Sequence, residues 1–91
     1  MAADLISLGI VCADVMVRPV DRVPERGKLG LVPNIEMHVG GLAGVTALVF
    51  SQLGGRSAFI GKLGQDGFGD YIFHAFDGAG VDVSHVRRSA D

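Results

Sequence analysis

Tryptophan is absent, and tyrosine and cysteine occur once each, so the chain has no stacking platform for bases or for flat sugar faces. The single Cys12 cannot close an internal disulfide and has no partner cysteines for a zinc motif, which fits a reducing compartment. Charge of one sign is also missing. Eight Lys and Arg against ten Asp and Glu give a net charge of −2, with none of the basic stripe that marks a nucleic-acid binder. The opening MAADLISLGIVCADVMV lacks the positive flank of a signal peptide, and Asp4 and Asp14 break it before it could span a membrane. The expectation is a cytoplasmic protein that binds neither nucleic acid nor membrane. With 48% hydrophobic and 20% charged residues in a chain of 91, it is globular in composition and makes at most one small domain.

What is present is organised around Val39 to Gly64. Gly40 and Gly41 can take backbone angles closed to other residues and let another group approach the main chain, as a ligand turn requires. Leu42, Val45, Val49 and Leu53 follow at a spacing of three and four, which predicts a mostly buried helix over 42–53. Gly54 and Gly55 stop it, and Ser57 to Ile60 reads as a short buried strand.

Upstream, Leu5 to Val11 is a nearly continuous apolar run, the pattern of a parallel strand covered on both faces. Asp14 lies just past its carboxyl end, where open α/β sheets bind ligands. An ionised carboxylate there can accept hydrogen bonds from two neighbouring hydroxyls. A surface turn aspartate is the alternative. Met16–Val23 and Leu29–Val39 read as edge strands interrupted by Pro19 and Pro33, joined by a turn at Pro24 to Gly27. His38 precedes the double glycine and could approach a ligand, or it is a packed or solvated residue. His74 and His85 have no partners at metal-ligand spacing, and Asp70 with His74 reads as a surface pair on a helix. The glycines of 61–69 match neither the Walker nor the dinucleotide spacing. A second helix fits Phe68 to Phe76, with Phe68, Ile72 and Phe76 on one face and Gly78 and Gly80 after it. Val81 to Val86 looks like the start of another strand, and Arg87 to Asp91 trails away. Strand, flap, helix, strand, helix, strand is the order of an α/β layered fold.

These residues resemble the N-terminal part of the ribokinase-like, or PfkB, carbohydrate kinases over essentially the whole chain. The match rests on Gly9 followed by Asp14, on Gly40, Gly41, Ala43, Ala47, Gly54 and Gly64 in the register of the family's N-terminal signature, and on Gly61, Gly64, Asp66 and Gly69. The resemblance implies a ribokinase-like Rossmann-type fold, with residues 1–91 as the N-terminal segment of one kinase domain and residues 15–39 as a β lid. It implies an acceptor site for a sugar, a nucleoside or a polyol, lined by Asp14, Gly40, Gly41 and position 45, and homodimerisation through the lid. It also implies ATP and Mg2+ as cofactors of the intact enzyme, held by a C-terminal nucleotide-binding part absent from this segment, which by itself would bind neither. The departure is Val45, where the signature has asparagine. Valine offers no donor or acceptor, and a sugar hydroxyl left unpaired against it would cost about 1–3 kcal/mol. Hence either the substrate differs or the copy is impaired, and a non-catalytic module for binding or dimerisation is the competing expectation.

Overall fold

Leu5–Leu8 forms the first strand, β1, and the chain leaves the sheet at Gly9, whose φ of 151° suits glycine. In the computed structural model, which describes residues 2–91, six elements follow. They are β2 (Cys12–Arg18), β3 (Asn34–Gly40), α1 (Leu42–Gln52), β4 (Ser57–Gly64), α2 (Gly67–Ala79) and β5 (Val86–Ser89). The strand expected to run to Val11 is therefore shorter, because hydrophobicity continues past the residue that turns the backbone.

Two sheets result. β1, β4 and β5 are parallel in the order β1-β4-β5, with Leu5 opposite Ser57 and Gly61 opposite Val86. β2 and β3 form a separate antiparallel ribbon, from Cys12 opposite Gly40 to Arg18 opposite Asn34. The ribbon strands end where proline removes a donor, β2 just before Pro19 and β3 just after Pro33. They start nearer the core than expected, so the ribbon spans 12–40 and takes in Asp14, which lies within a strand and not in a loop beyond one.

Both helices pack on one face of the parallel sheet. The core joins Ala43 and Ala47 of α1, Phe59 and Leu63 of β4, and Ile72 and Phe76 of α2, with Val81. The Phe59 and Phe76 rings lie 5.1 Å apart. Ile6 (64% exposed) and Leu8 (75%) of β1 point away from the helices, so the described residues cover this strand on one face where two were expected.

α1 corrects the expectation most. Its large apolar stripe of Leu42, Val45, Val49 and Leu53 faces outward, and the buried face is Ala43, Gly44 and Ala47. A face of small residues lets the backbone approach the sheet, and two buried serines use that closeness. Ser7 Oγ donates to the Ala43 carbonyl and Ser57 Oγ to the Ala47 carbonyl, each at 2.7 Å. Burying these hydroxyls without partners would be costly, so the pairs fix which face of α1 turns inward.

α2 is capped by Asp66, which accepts from the Gly69 amide at 2.8 Å, and ends at Gly80 with φ of 86°. Ile72 and Phe76 are buried as expected, whereas Phe68 is 54% exposed and Gly78 lies inside the helix. Val81 to Val86 is not the last strand. Asp82 makes a single parallel bridge to Ala58, and the strand begins at Val86, so Arg87 and Arg88 pair with β4 and do not trail. Asp70 pairs with Arg88 and not with His74.

Candidate functional site

Alternation along the ribbon sorts it into two faces. Cys12, Asp14, Met16 and Arg18 share one face with Gly40, His38, Glu36 and Asn34, each directly opposite its partner. Ala13, Val15, Val17, Ile35, Met37 and Val39 take the other face. That second face packs on the core at its base, through Ala13 and Val39. Tyr71 of α2 reinforces this by donating its hydroxyl to the Met37 carbonyl at 2.7 Å.

On the polar face the Asp14 carboxylate lies over the backbone of Gly40. A Cβ at position 40 would meet its Cγ at 2.8 Å and its Oδ1 at 3.0 Å, so only glycine leaves room for it there. Cys12 Sγ donates to Asp14 Oδ1 at 3.3 Å, and that bond is the largest of the influences that raise the thiol above its ordinary pKa. The thiol stays protonated and serves as a donor. Asp14 is exposed, and its surroundings form an open shelf, not an enclosed pocket.

Gly41 serves a different purpose. With φ of 85° and ψ of 143° it is the N-cap of α1, and a Cβ there would meet the Ile10 carbonyl oxygen at 2.5 Å. The group that comes close is the chain's own backbone. The Ile10 carbonyl in turn accepts from the amides of Ala43 and Gly44, both at 3.1 Å, which occupies two of the free donors at the helix start. Val45 sits one turn along, 41% exposed, its amide donating to the Gly41 carbonyl at 3.0 Å.

Of the four expected site residues, then, Asp14 and Gly40 are in contact, Gly41 follows directly, and Val45 is linked to them through the first turn of α1. Sequence reading passed over Cys12 as a neighbour of Asp14, and over Arg18 and Glu36. Glu36 holds His38 Nε2 at 2.9 Å and takes Arg18 Nη2 at 3.2 Å and Nε at 3.3 Å. First the bond to His38 and then that to Arg18 keep the Glu36 carboxyl below its usual value. A strand begun at Cys12, not Met16, would have put all of them on one face. His74 and His85 stay away from this group; His74 lies edge-on to Phe73 on α2.

Among the described residues no three His, Cys, Asp or Glu side chains are grouped to hold a metal ion. No helix among them is long and apolar enough to cross a membrane.

A family model described as "pfkB family carbohydrate kinase" matches residues 2–91. A fructokinase from Salmonella typhimurium is 41% identical over 74% of this chain and 20% of its own length. A 5-dehydro-2-deoxygluconokinase from Clostridium beijerinckii is 29% identical over 94% of this chain and 24% of its own. Among solved structures, the Arabidopsis thaliana ribokinase complexed with ribose and ATP superposes with a TM-score of 0.82 at 31% identity, over 97% of this chain and 28% of that one. The chain thus spans about a quarter of the length of these proteins.

Proposed function

Since the chain belongs to the pfkB family of carbohydrate kinases, we propose that it forms the acceptor side of an ATP-dependent kinase that phosphorylates a hydroxyl of a sugar or related nucleoside or polyol. The observation that carries this reading is the Asp14 carboxylate seated over Gly40 on the exposed polar face of the ribbon. A carboxylate so placed binds hydroxyl donors and orients them. ATP with Mg2+ would supply the phosphoryl group and its charge neutralisation from elsewhere in the domain. This chain's part is to hold the acceptor and, with the ribbon acting as a lid, to shield it from water. Val45 gives that acceptor an apolar neighbour. Cytoplasmic location follows from the same reading.

A titration of the isotopically labelled chain with D-fructose and with D-ribose tests the binding part. Amide shifts at Asp14, Gly40 and Gly41 are expected, and Asp14→Ala should remove them. The transfer itself is read as sugar-dependent ADP release from MgATP by the protein in its complete reading frame; no release with any sugar or nucleoside would remove the kinase reading.

A second reading, a module that binds or dimerises without catalysis, is favoured by the apolar ribbon face. Val15 (54% exposed), Val17 (46%) and Ile35 (67%) lie there side by side. Sedimentation separates the two: a dimer that shows no sugar-dependent shift supports the second, and a sugar response lost in Asp14→Ala supports the first.

A further inference from the structure

We infer that His38 is a second acceptor-binding group, which accepts a hydrogen bond from a substrate hydroxyl at Nδ1 beside Asp14 while Glu36 and Arg18 hold the ring in place. The inference rests on the acceptor-site reading above and adds to it a residue and a substrate class.

His38 stands directly across the ribbon from Asp14, on the same face. Side chains so paired have Cβ atoms about 4.5–5.5 Å apart, close enough for one small molecule to touch both. Among the described residues the His38 side chain has one hydrogen-bond partner, Glu36, at Nε2 and 2.9 Å. An ionised carboxylate can only accept, so Nε2 carries the proton of the neutral ring and Nδ1 is left as an acceptor. Glu36 is in turn fixed by the Arg18 guanidinium, whose Nε and Nη2 both reach it. Arg18, Glu36 and His38 thus form a chain of hydrogen bonds that sets the tautomer and orientation of the imidazole, as carboxylates do for histidines elsewhere. The imidazole keeps half of its side-chain surface exposed to solvent.

The chemistry of this face defines what it takes. Asp14 presents a carboxylate, His38 an unprotonated nitrogen, and the Arg18 charge is already met by Glu36. A ligand must therefore bring donors to both positions. Two neighbouring hydroxyls of a neutral sugar or polyol do so, whereas a sugar acid or sugar phosphate would set its anion against Asp14 and Glu36.

The test uses the full chain at pH 8, where an ordinary imidazole is neutral. Long-range 1H–15N spectra of His38 should show the proton on Nε2; a proton on Nδ1 would overturn the inference before any ligand is added. On titration with D-fructose, Nδ1 should shift together with the Asp14 amide. A response at Asp14 with none at Nδ1 removes His38 and leaves the acceptor reading standing, and silence at both removes the two together. His38→Phe should weaken D-fructose binding by about tenfold, the loss of one hydrogen bond, while His38→Asn, which keeps an acceptor near Nδ1, should stay within about threefold of the parent. Glu36→Gln should fall between them. D-gluconate should bind more weakly than D-fructose; tighter binding would overturn the assignment to neutral acceptors.

Discussion

Replacing Gly41 with alanine adds one methyl group where both the backbone angles and the neighbouring main chain oppose it. The backbone there has φ of 85° and ψ of 143°, a region that side chains other than hydrogen enter at a cost of about 1–3 kcal/mol. The new Cβ would also stand 2.5 Å from the Ile10 oxygen, 2.7 Å from its carbon and 2.8 Å from Val11 Cα. All three are backbone atoms that cannot rotate away, so overpacking adds about 1–3 kcal/mol. Moving the Ile10 carbonyl further weakens the two hydrogen bonds from Ala43 and Gly44, worth about 1 kcal/mol each at full strength. The sum is about 2–8 kcal/mol, a large part of the 5–15 kcal/mol typical of a folded domain. Gly54→Ala is the matched control. Gly54 also has a positive φ, 98°, but nothing lies within 4 Å of its added Cβ, so it should lose only about 1–2 kcal/mol. Gly78, inside α2 and facing open space, should gain about 0.5–1 kcal/mol as alanine. Urea unfolding followed by far-UV circular dichroism ranks the three variants against the parent. Equal losses for Gly41→Ala and Gly54→Ala would refute the reasoning, because the contact with Ile10 and Val11 would then count for nothing.

Tyr71→Phe removes the hydroxyl that holds the Met37 carbonyl and should cost about 1 kcal/mol, read as faster amide exchange in β3 than in β4. Asp66→Ala removes the cap of α2 and should lower stability by about 1 kcal/mol in chemical denaturation, with Asp66→Asn recovering most of it. Acid should loosen the ribbon. The bonds from His38 and then Arg18 hold the Glu36 carboxyl below its ordinary value in the folded chain, so its contribution is fully present above that ordinary value and is lost as pH falls through the lowered one. Ribbon amide shifts followed from about pH 6 to pH 3 should show this step, and Glu36→Gln should abolish it.

The ribbon strands, expected to run through Pro19 and Pro33, stop at those prolines, whereas the limits of α1, set by Gly41 and Gly54, are local chemistry and could be read directly. The face that α1 buries could not. The 3–4 periodicity is met equally by Leu42, Val45, Val49 and by Ala43, Ala47, and weighting by size chose the wrong set. The decisive information lies in Ser7 and Ser57, two strand hydroxyls that need helix carbonyls. Asp14 was picked for its position after an apolar run, yet its surroundings depend on strand register. Cys12 is two residues away, whereas the Glu36 bonds to Arg18 span 18 positions and appear only once β2 is laid against β3. β1 was extended too far because Ile10 and Val11 are as apolar as Leu5 and Ile6; what ends the strand is the turn at Gly9.

The ribbon is fastened to the rest of the molecule along its core-side half, at its base through Ala13 and Val39 and farther out through the Tyr71 hydroxyl on the Met37 carbonyl. β2 is entered through Gly9 to Val11 and β3 leaves through Gly41 alone, while the far ends, Arg18 and Asn34, are joined only to each other and to the segment 19–33. Mechanically this is a cantilever whose last support is the Tyr71 bond to Met37, opposite Val15. At about 3.3 Å per residue, Arg18 stands about 10 Å beyond that support and Asp14 lies on its core side, so a rotation of about 10° would carry the tip about 2 Å and leave Asp14 in place. Bending of the tip therefore leaves the carboxylate almost where it was. Changes at Arg18 or Asn34 would then alter the free tip alone, and changes at Gly40 or Gly41 the supported base.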